Sequence, residues 1–559
     1  MLRRAAFFLV PGSVGSVIIE LDMPRPGWTS MIRDRLRWTP SAATFIALAA
    51  VCNAVLYHKP LLSFAAGNLD LPSFAGALTL ATLLVALLSS TALALTLLSL
   101  ISVRILKPFC MAMAIVNAVA VYFVATYNVV LDKAMMGNVH STNSSEALEL
   151  FHPKLIAYVL ILGVLPCCLL ARVHIRKTPR LKLAVIAFLG AVITVIWAYL
   201  AAGTWLWIDK HAKKLGGMVM PWSYVVNMAR YELPRLIASD VQILLPSAAF
   251  SSNDRVVVIL VIGEAARAQN FQLYGYDRPT NPLLPRAGAV ALRHATACST
   301  YTTASIRCML SHLDSRSEFS KRYEPLPSYL QRSGVDVIWR SHNWGEPPME
   351  VQTYQKAADL SADCRGAGCD YDEVLLNGLE QRIRDSSSQK VFVVLHQIGS
   401  HGPAYATRYP SEFQVFKPVC TSVELGKCTR DELVNAYDNT IVYTDHFLAQ
   451  TIGVLKSFED TATLLIYVSD HGESLGEYGL YLHGAPWSIA PDVQKEVPFI
   501  VWMSDAFIRL RGVEPGRLEM QPVHSLRDIF HTVVGAFRMR SDAYLAHYDI
   551  FSETFSEEP

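Results

Sequence analysis

Hydrophobic and polar positions divide the 559-residue chain into two parts with different periods. Before about residue 210 the apolar positions run almost unbroken, and five stretches (42–56, 74–98, 109–127, 155–170 and 183–206) read as membrane spans. A helix needs about 20 apolar residues to cross a bilayer. From 254 the apolar runs shorten to strand length, in "RVVVILVIGEA", "VDVIWRSHN", "KVFVVLHQIGSHG", "ATLLIYVSDHG" and "EVPFIVWMS". Each is rich in Val and Ile and ends in polar residues, and helical stretches such as 430–456 lie between them. Fully apolar strands alternating with helices predict an α/β sandwich with a largely parallel sheet. The expected fold is a multi-span α-helical membrane domain, residues 1–206, a connector, 207–250, and an α/β domain, 251–559. The connector holds the amphipathic stretch "WSYVVNMARYELPRLIASDVQILL", which reads either as a membrane-surface helix or as a helix packed on the soluble domain.

Basic residues set the orientation, because Lys and Arg are retained in the cytoplasm. They crowd the N-terminus (Arg3, Arg4, Arg33, Arg35, Arg37), the second loop (Arg104, Lys107) and the fourth (Arg172, Arg176, Lys177, Arg180, Lys182). An odd number of spans then puts the second half outside, in the periplasm, with the chain multi-pass in the inner membrane. The opening segment resembles a signal peptide interrupted by Pro11 and Gly12, and translation starting at Met23 or Met31 is one expectation. A hydrophobic content of 52% and a mean hydropathy of +0.27 suit a membrane protein, while a net charge of +1 gives a nucleic-acid partner no electrostatic support. Cys52, Cys110, Cys167 and Cys168 fall in or beside the spans, and the other six cysteines come as close pairs, Cys298/Cys308, Cys364/Cys369 and Cys420/Cys428. Nearest-neighbour disulfides fit an oxidising compartment; thiolate zinc ligation is the alternative, but no CxxC occurs.

In open α/β sheets the carboxyl ends of the strands line the ligand crevice. Here those ends deliver Glu264, His401, Asp470 with His471, and His342. Oxygen ligands with one imidazole describe a zinc or manganese site, and Glu264, Asp470 and His471 supply such a set. A metal beside a hydroxyl makes a nucleophile of it. "ACSTYTTASIRCML" offers Ser299, Thr300, Thr302, Thr303 and Ser305, among which composition does not choose.

These residues carry a resemblance that covers nearly the whole chain. "VIGEAARAQNFQLYGYDRPTNP", "CSTYTTASIRC", "LHQIGSHGPAY" and "SDHGESLGEYGLYLHG" occur in the order found in the phosphoethanolamine transferases that modify lipopolysaccharide, including the mobile colistin-resistance enzymes. The resemblance implies an alkaline phosphatase/sulfatase-like catalytic domain and zinc held by Glu264, Asp470 and His471 with Thr302, the nucleophile, beside them. It implies phosphate or second-zinc roles for His401 and His483, with His483 also a proton donor or acceptor. Asn138, Thr142 and Glu146 fall at i, i+4 and i+8 of "NVHSTNSSE", one helical face, which in the family meets the ethanolamine head group. The implied reaction passes phosphoethanolamine from phosphatidylethanolamine through a phospho-threonine to lipid A or the lipopolysaccharide core, in a monomer, with polymyxin resistance as its consequence. One departure stands out: "WRSHNWGEPPMEVQ" has no Lys where relatives carry a Ser and a Lys, leaving His342, Asn343 or Trp344 as other contacts.

Two other readings remain. A metal-dependent phospho- or sulfo-hydrolase of the same superfamily would use water as acceptor. A sensor or transporter would only bind ligand, but the spans lack the series of buried charges that relay pathways use.

Overall fold

A computed structural model describes residues 38–142, 147–148, 150–237, 242–313, 322–521 and 524–555. The basic N-terminal residues, the alternative starts at Met23 and Met31, and Glu146 lie outside the described residues.

The first part is helical: α1 (Ala42–Tyr57), α2 (Lys59–Asn68), α3 (Phe74–Ile101), α4 (Val103–Tyr127), α5 (Lys133–Ser141), α6 (Pro153–Ala171), α7 (Arg180–Leu200) and α8 (Trp222–Ile237). Helices α3, α4, α6 and α7 are each long and apolar enough to cross a membrane. The fifth expected span is a bent pair, α1 and α2, meeting at 66°. Pro60 explains the break: proline is tolerated in the first turn of a helix and not in its interior. Stretch 183–206 likewise ends early, α7 stopping at Leu200 before a short turn at Ala202–Thr204.

Lys107 donates to the carbonyl of Ala171 (2.7 Å) and Arg176 to that of Thr39 (2.9 Å), so the basic loops gather at one end of the bundle. The α/β domain docks at the other. Asn128 donates to the Gly479 carbonyl (3.3 Å), Lys213 to Ser488 (2.6 Å), and Lys154 pairs with Glu424 (3.0 Å). Helix α8 packs on α5 and reaches the middle of α3 and α4 and the turn after α4, through Trp222 to Ser90 (3.1 Å), Tyr224 to Asn117 (2.8 Å) and Asn227 to the Leu131 carbonyl (2.8 Å). A buried asparagine pair continues this lock: Asn117 donates to Asn53 (2.9 Å), and Asn53 to the Met220 carbonyl (3.0 Å).

The second part is a seven-stranded sheet built from β1 (Val256–Gly263), β2 (Val290–Ala291), β3 (Asp336–Ser341), β4 (Thr353–Lys356), β5 (Lys390–His396), β6 (Ala462–Ser469) and β7 (Phe499–Met503). Its order is β2-β7-β6-β1-β5-β3-β4, with β7 antiparallel to β6 and β2, and the other neighbours parallel. Strands β1, β5 and β6 are buried at every position. Their alternate residues feed two cores: Val256, Val258, Leu260 and Ile262 on one face, Val257, Ile259 and Val261 on the other. The first face packs on α11 (Asp528–Ala536) through Ile529, Phe530 and Val533. The second packs on α10 (Arg430–Lys456), whose start is fixed by a capping box between Thr429 and Glu432. With helices on both faces, polar residues are confined to the strand ends, and three central parallel strands end together.

Candidate active site

Glu264 follows β1 directly, and Asp470 and His471 follow β6; the two strands are neighbours in register, Gly263 beside Ser469. The chain turns sharply after β1, with Ala265 at φ 54, and the turn is pinned to the end of β6. Ala265 N–H donates to Asp470 Oδ1 (3.1 Å) and Ala266 N–H to Ser469 Oγ (2.8 Å). His471 Nδ1 lies 3.0 Å from the Gly472 carbonyl, which can only accept, so Nδ1 carries the proton and Nε2 faces inward. Around Nε2 stand Glu264 Oε1 (3.2 Å), Asp470 Oδ2 (3.3 Å) and Thr302 Oγ1 (3.3 Å).

Thr302 opens helix α9 (Thr302–Met309), and its hydroxyl lies 3.1 Å from Glu264 Oε2. The helix is held twice, by the Cys298–Cys308 disulfide and by Ser305, which donates to the Asp470 carbonyl. Disulfides also join Cys364 to Cys369 and Cys420 to Cys428. The segment before Thr302 is tied to the loop after β6: Gly484 N–H donates to the Thr300 carbonyl (2.7 Å), and Thr300 to that of Ala485 (2.7 Å).

Glu264, Asp470 and His471 are fully buried, and their ligand atoms lie within 4.8 Å of one another. Asp470 Oδ2 has no hydrogen-bond partner, an expensive condition for a buried carboxylate oxygen. Burial and the neighbouring Glu264 push the Asp470 carboxyl up to about 7. Burial alone would lower His471; Asp470 and Glu264 overcome it and raise the imidazole to about 10. The buried carboxylates thus favour positive charge at this point, so the donor set fits a divalent metal.

Glu264 also forms a second group with His401 and His483. The His401 and His483 rings are 5.4 Å apart, and His483 is 4.3 Å from His471. Two supporting residues escaped sequence reasoning. Glu473, given no chemistry by its motif, is fully buried and meets His483 Nδ1 at 3.3 Å. Asn343, named only as an alternative contact, donates to Glu264 Oε2 (2.9 Å). In the same loop Trp344 meets His401 edge-on at 5.1 Å, while His342 turns away to Asp372 (2.9 Å). Glu477 pairs with Arg267 (2.8 Å) and fixes the loop.

A cavity of about 950 Å³ joins this centre to the membrane helices. His401, His483, Asn138 and Thr142 all line it, with Ile115 and Phe123 of α4 and Met228 of α8. Thr142 donates to the Asn138 carbonyl (2.9 Å), closing the end of α5. Of the expected head-group trio, Asn138 and Thr142 therefore share one cavity with the two histidines. Sequence gave no signal of Glu232, which also lines it.

A buried cluster of residues able to hold a metal at the ends of parallel strands, opening through an apolar cavity to membrane helices, defines a membrane-anchored enzyme of the sulfatase fold. The sulfatase family model matches residues 257–539, and a second model, phosphoethanolamine transferase EptA/EptB, matches residues 90–234. The chain belongs to the phosphoethanolamine transferase family. It is 39% identical over 491 residues to phosphoethanolamine transferase EptA of Helicobacter pylori, covering 86% of this chain and 91% of that protein. It is 32% identical over 429 residues to phosphatidylethanolamine transferase Mcr-1 of Escherichia coli, covering 71% and 78%. The integral membrane lipooligosaccharide phosphoethanolamine transferase A of Neisseria meningitidis superposes with a TM-score of 0.85 at 27% identity, covering 92% of this chain and 98% of that one.

Proposed function

We propose that the protein transfers phosphoethanolamine from phosphatidylethanolamine to lipid A, or to the lipopolysaccharide core, through a phospho-threonine on Thr302. The catalytic domain works as a monomer at the periplasmic face of the inner membrane. The reading rests on one observation: the Thr302 hydroxyl lies within 3.3 Å of both Glu264 and His471, in a centre whose histidines line a cavity walled by membrane helices.

Glu264, Asp470 and His471, with Thr302, would hold zinc. When bound, the ion supplies the Lewis acidity that lowers the pKa of the Thr302 hydroxyl and offsets phosphoryl charge. The donor's acyl chains enter the apolar cavity, and its ammonium is met on the polar side by Asn138, Thr142 and Glu232. Thr302 passes its hydroxyl proton to Glu264 Oε2, 3.1 Å away, as Oγ attacks phosphorus; the bond to the diacylglycerol oxygen breaks, and His483, held by Glu473, gives that oxygen a proton. An acceptor oxygen then attacks the phospho-threonine, passing its proton to His483, while Glu264 returns a proton to the departing Thr302 oxygen and restores the free hydroxyl. Donor and acceptor are both confined to the membrane, so anchoring the domain there raises their effective concentration. A phosphoethanolamine on lipid A adds an ammonium and weakens the binding of cationic peptides, which supports a role in polymyxin resistance.

Mass spectrometry of the Thr302 peptide and of lipid A tests the reading. Wild-type protein given phosphatidylethanolamine should carry a phosphoethanolamine adduct, and Thr302→Ala should lose adduct and transfer together. Transfer that persists in Thr302→Ala overturns the mechanism; free phosphoethanolamine without modified lipid points to hydrolysis.

A further inference from the structure

The cavity that reaches the catalytic histidines occupies one face of α4, lined by Ile115, Val119 and Phe123. The opposite face of the same helix, with Val121, Val124 and Asn128, borders a second groove of about 840 Å³ against α1, α2 and α6. Its walls are apolar and open outward: Val55 is 69% and Ile161 60% exposed. At one rim stand Lys59, Lys154 and Lys214. These lysines sit at the end of the bundle where the α/β domain docks, since Lys154 pairs with Glu424 of that domain.

The two cavities differ in charge. The catalytic one is lined by Glu232 and by no Lys or Arg, which suits a lipid with an ammonium. The second is lined by three lysines and no carboxylate. Among the described residues, Lys59 and Lys214 make no ion pair with a carboxylate. Lys214 instead rests over the Phe64 ring, 4.8 Å from its centre. Burial lowers the Lys214 ammonium from its ordinary value, a cost that an adjacent anion would offset.

We propose that this groove binds an anionic glycerophospholipid, its phosphate among Lys59, Lys154 and Lys214 and its acyl chains along α1, α4 and α6. A zwitterionic lipid would bring its own ammonium into a ring of lysines, so the site selects a head group without an amine. The site sits next to the catalytic domain, because Asn128 on its wall holds Gly479 in the loop that leads to His483. Membrane placement is all it takes from the functional reading above, and the donor and acceptor need not be those proposed.

Native mass spectrometry of the full chain, released from detergent after incubation with equal amounts of phosphatidylglycerol, phosphatidylcholine and lipid A, tests the proposal. One phosphatidylglycerol per chain should be retained in preference to phosphatidylcholine. Lys59→Gln and Lys214→Gln should each lower that retention roughly fivefold, as expected for one lysine near an anionic head group. The Arg versions should keep it, and Ile161→Trp, which fills the groove, should lose it. An unchanged thermal midpoint in detergent reports that each variant is folded. Equal retention of the two phospholipids, or retention indifferent to both Lys→Gln changes, overturns the site. Preferential lipid A retention that depends on the lysines overturns the phospholipid assignment.

Discussion

Gly399, in the "QIGSHG" loop after β5, offers a sharp test of how the metal centre is held. Its φ is +51, and a Cβ there would stand 2.9 Å from both the backbone N and O of Glu264. Neither atom can move aside easily, because the Glu264 carbonyl accepts from Ser400 N–H (2.9 Å) and the strand before it is buried throughout. Gly399 N–H is itself fixed, donating to Asp372 Oδ2 (3.0 Å). In Gly399→Ala, the left-handed conformation costs about 1–2 kcal/mol and overpacking about 1–3 kcal/mol, or about 2–5 kcal/mol together. For the full chain in detergent, the thermal midpoint of the α/β domain should fall by roughly 3–8 °C. Zinc retention in a chelator competition should fall with it, because the displaced backbone is that of Glu264. An unchanged midpoint with unchanged zinc retention would refute the claim that this glycine is required by close approach.

Asn343→Ala removes the donor to Glu264 Oε2 and should weaken zinc retention by about 10–100-fold, the usual effect of losing a partner of a ligand. Glu473→Gln should slow transfer while leaving zinc retention intact, since Glu473 contacts His483 and not the cluster of Glu264, Asp470 and His471; equal loss of both would refute this. Burial pushes the His531 imidazole down to about 4 from 6.5. The stability it contributes is fully present above pH 6.5 and is lost as pH falls through about 4, a loss of about 3 kcal/mol. Denaturant melts between pH 7 and pH 4 should show that slope in the wild type and a flatter one in His531→Gln.

The strands and the cluster of Glu264, Asp470 and His471 were legible because their signals are local. Buried parallel strands read as unbroken Val and Ile, and Glu264 and Asp470 with His471 mark where two of them stop. The spans were legible for the same reason, except where a proline intervened: 42–56 gives no sign that Pro60 starts a second helix at 66°. What stayed hidden depends on distant segments. Glu473 looks like any loop carboxylate until folding sets it against His483, ten residues on. Asn343 becomes a partner of Glu264 only because β3 lies beside β5, which lies beside β1. The amphipathic connector could not be placed from its pattern, since its Tyr224 and Asn227 bond to Asn117 and to the Leu131 carbonyl rather than to water. No single-residue property announces a cavity between α4, α5, α8 and the loops of His401 and His483.

The Cys298–Cys308 bond closes a loop around Thr302, the nucleophile of the proposed reaction. If that bond is needed to place Thr302, the supply of active enzyme is set by export and thiol oxidation as well as by synthesis. Cells short of disulfide-forming capacity would insert the same number of chains and obtain fewer working copies. Inhibiting that maturation step would disarm the enzyme without any compound entering its lipid-lined cavity.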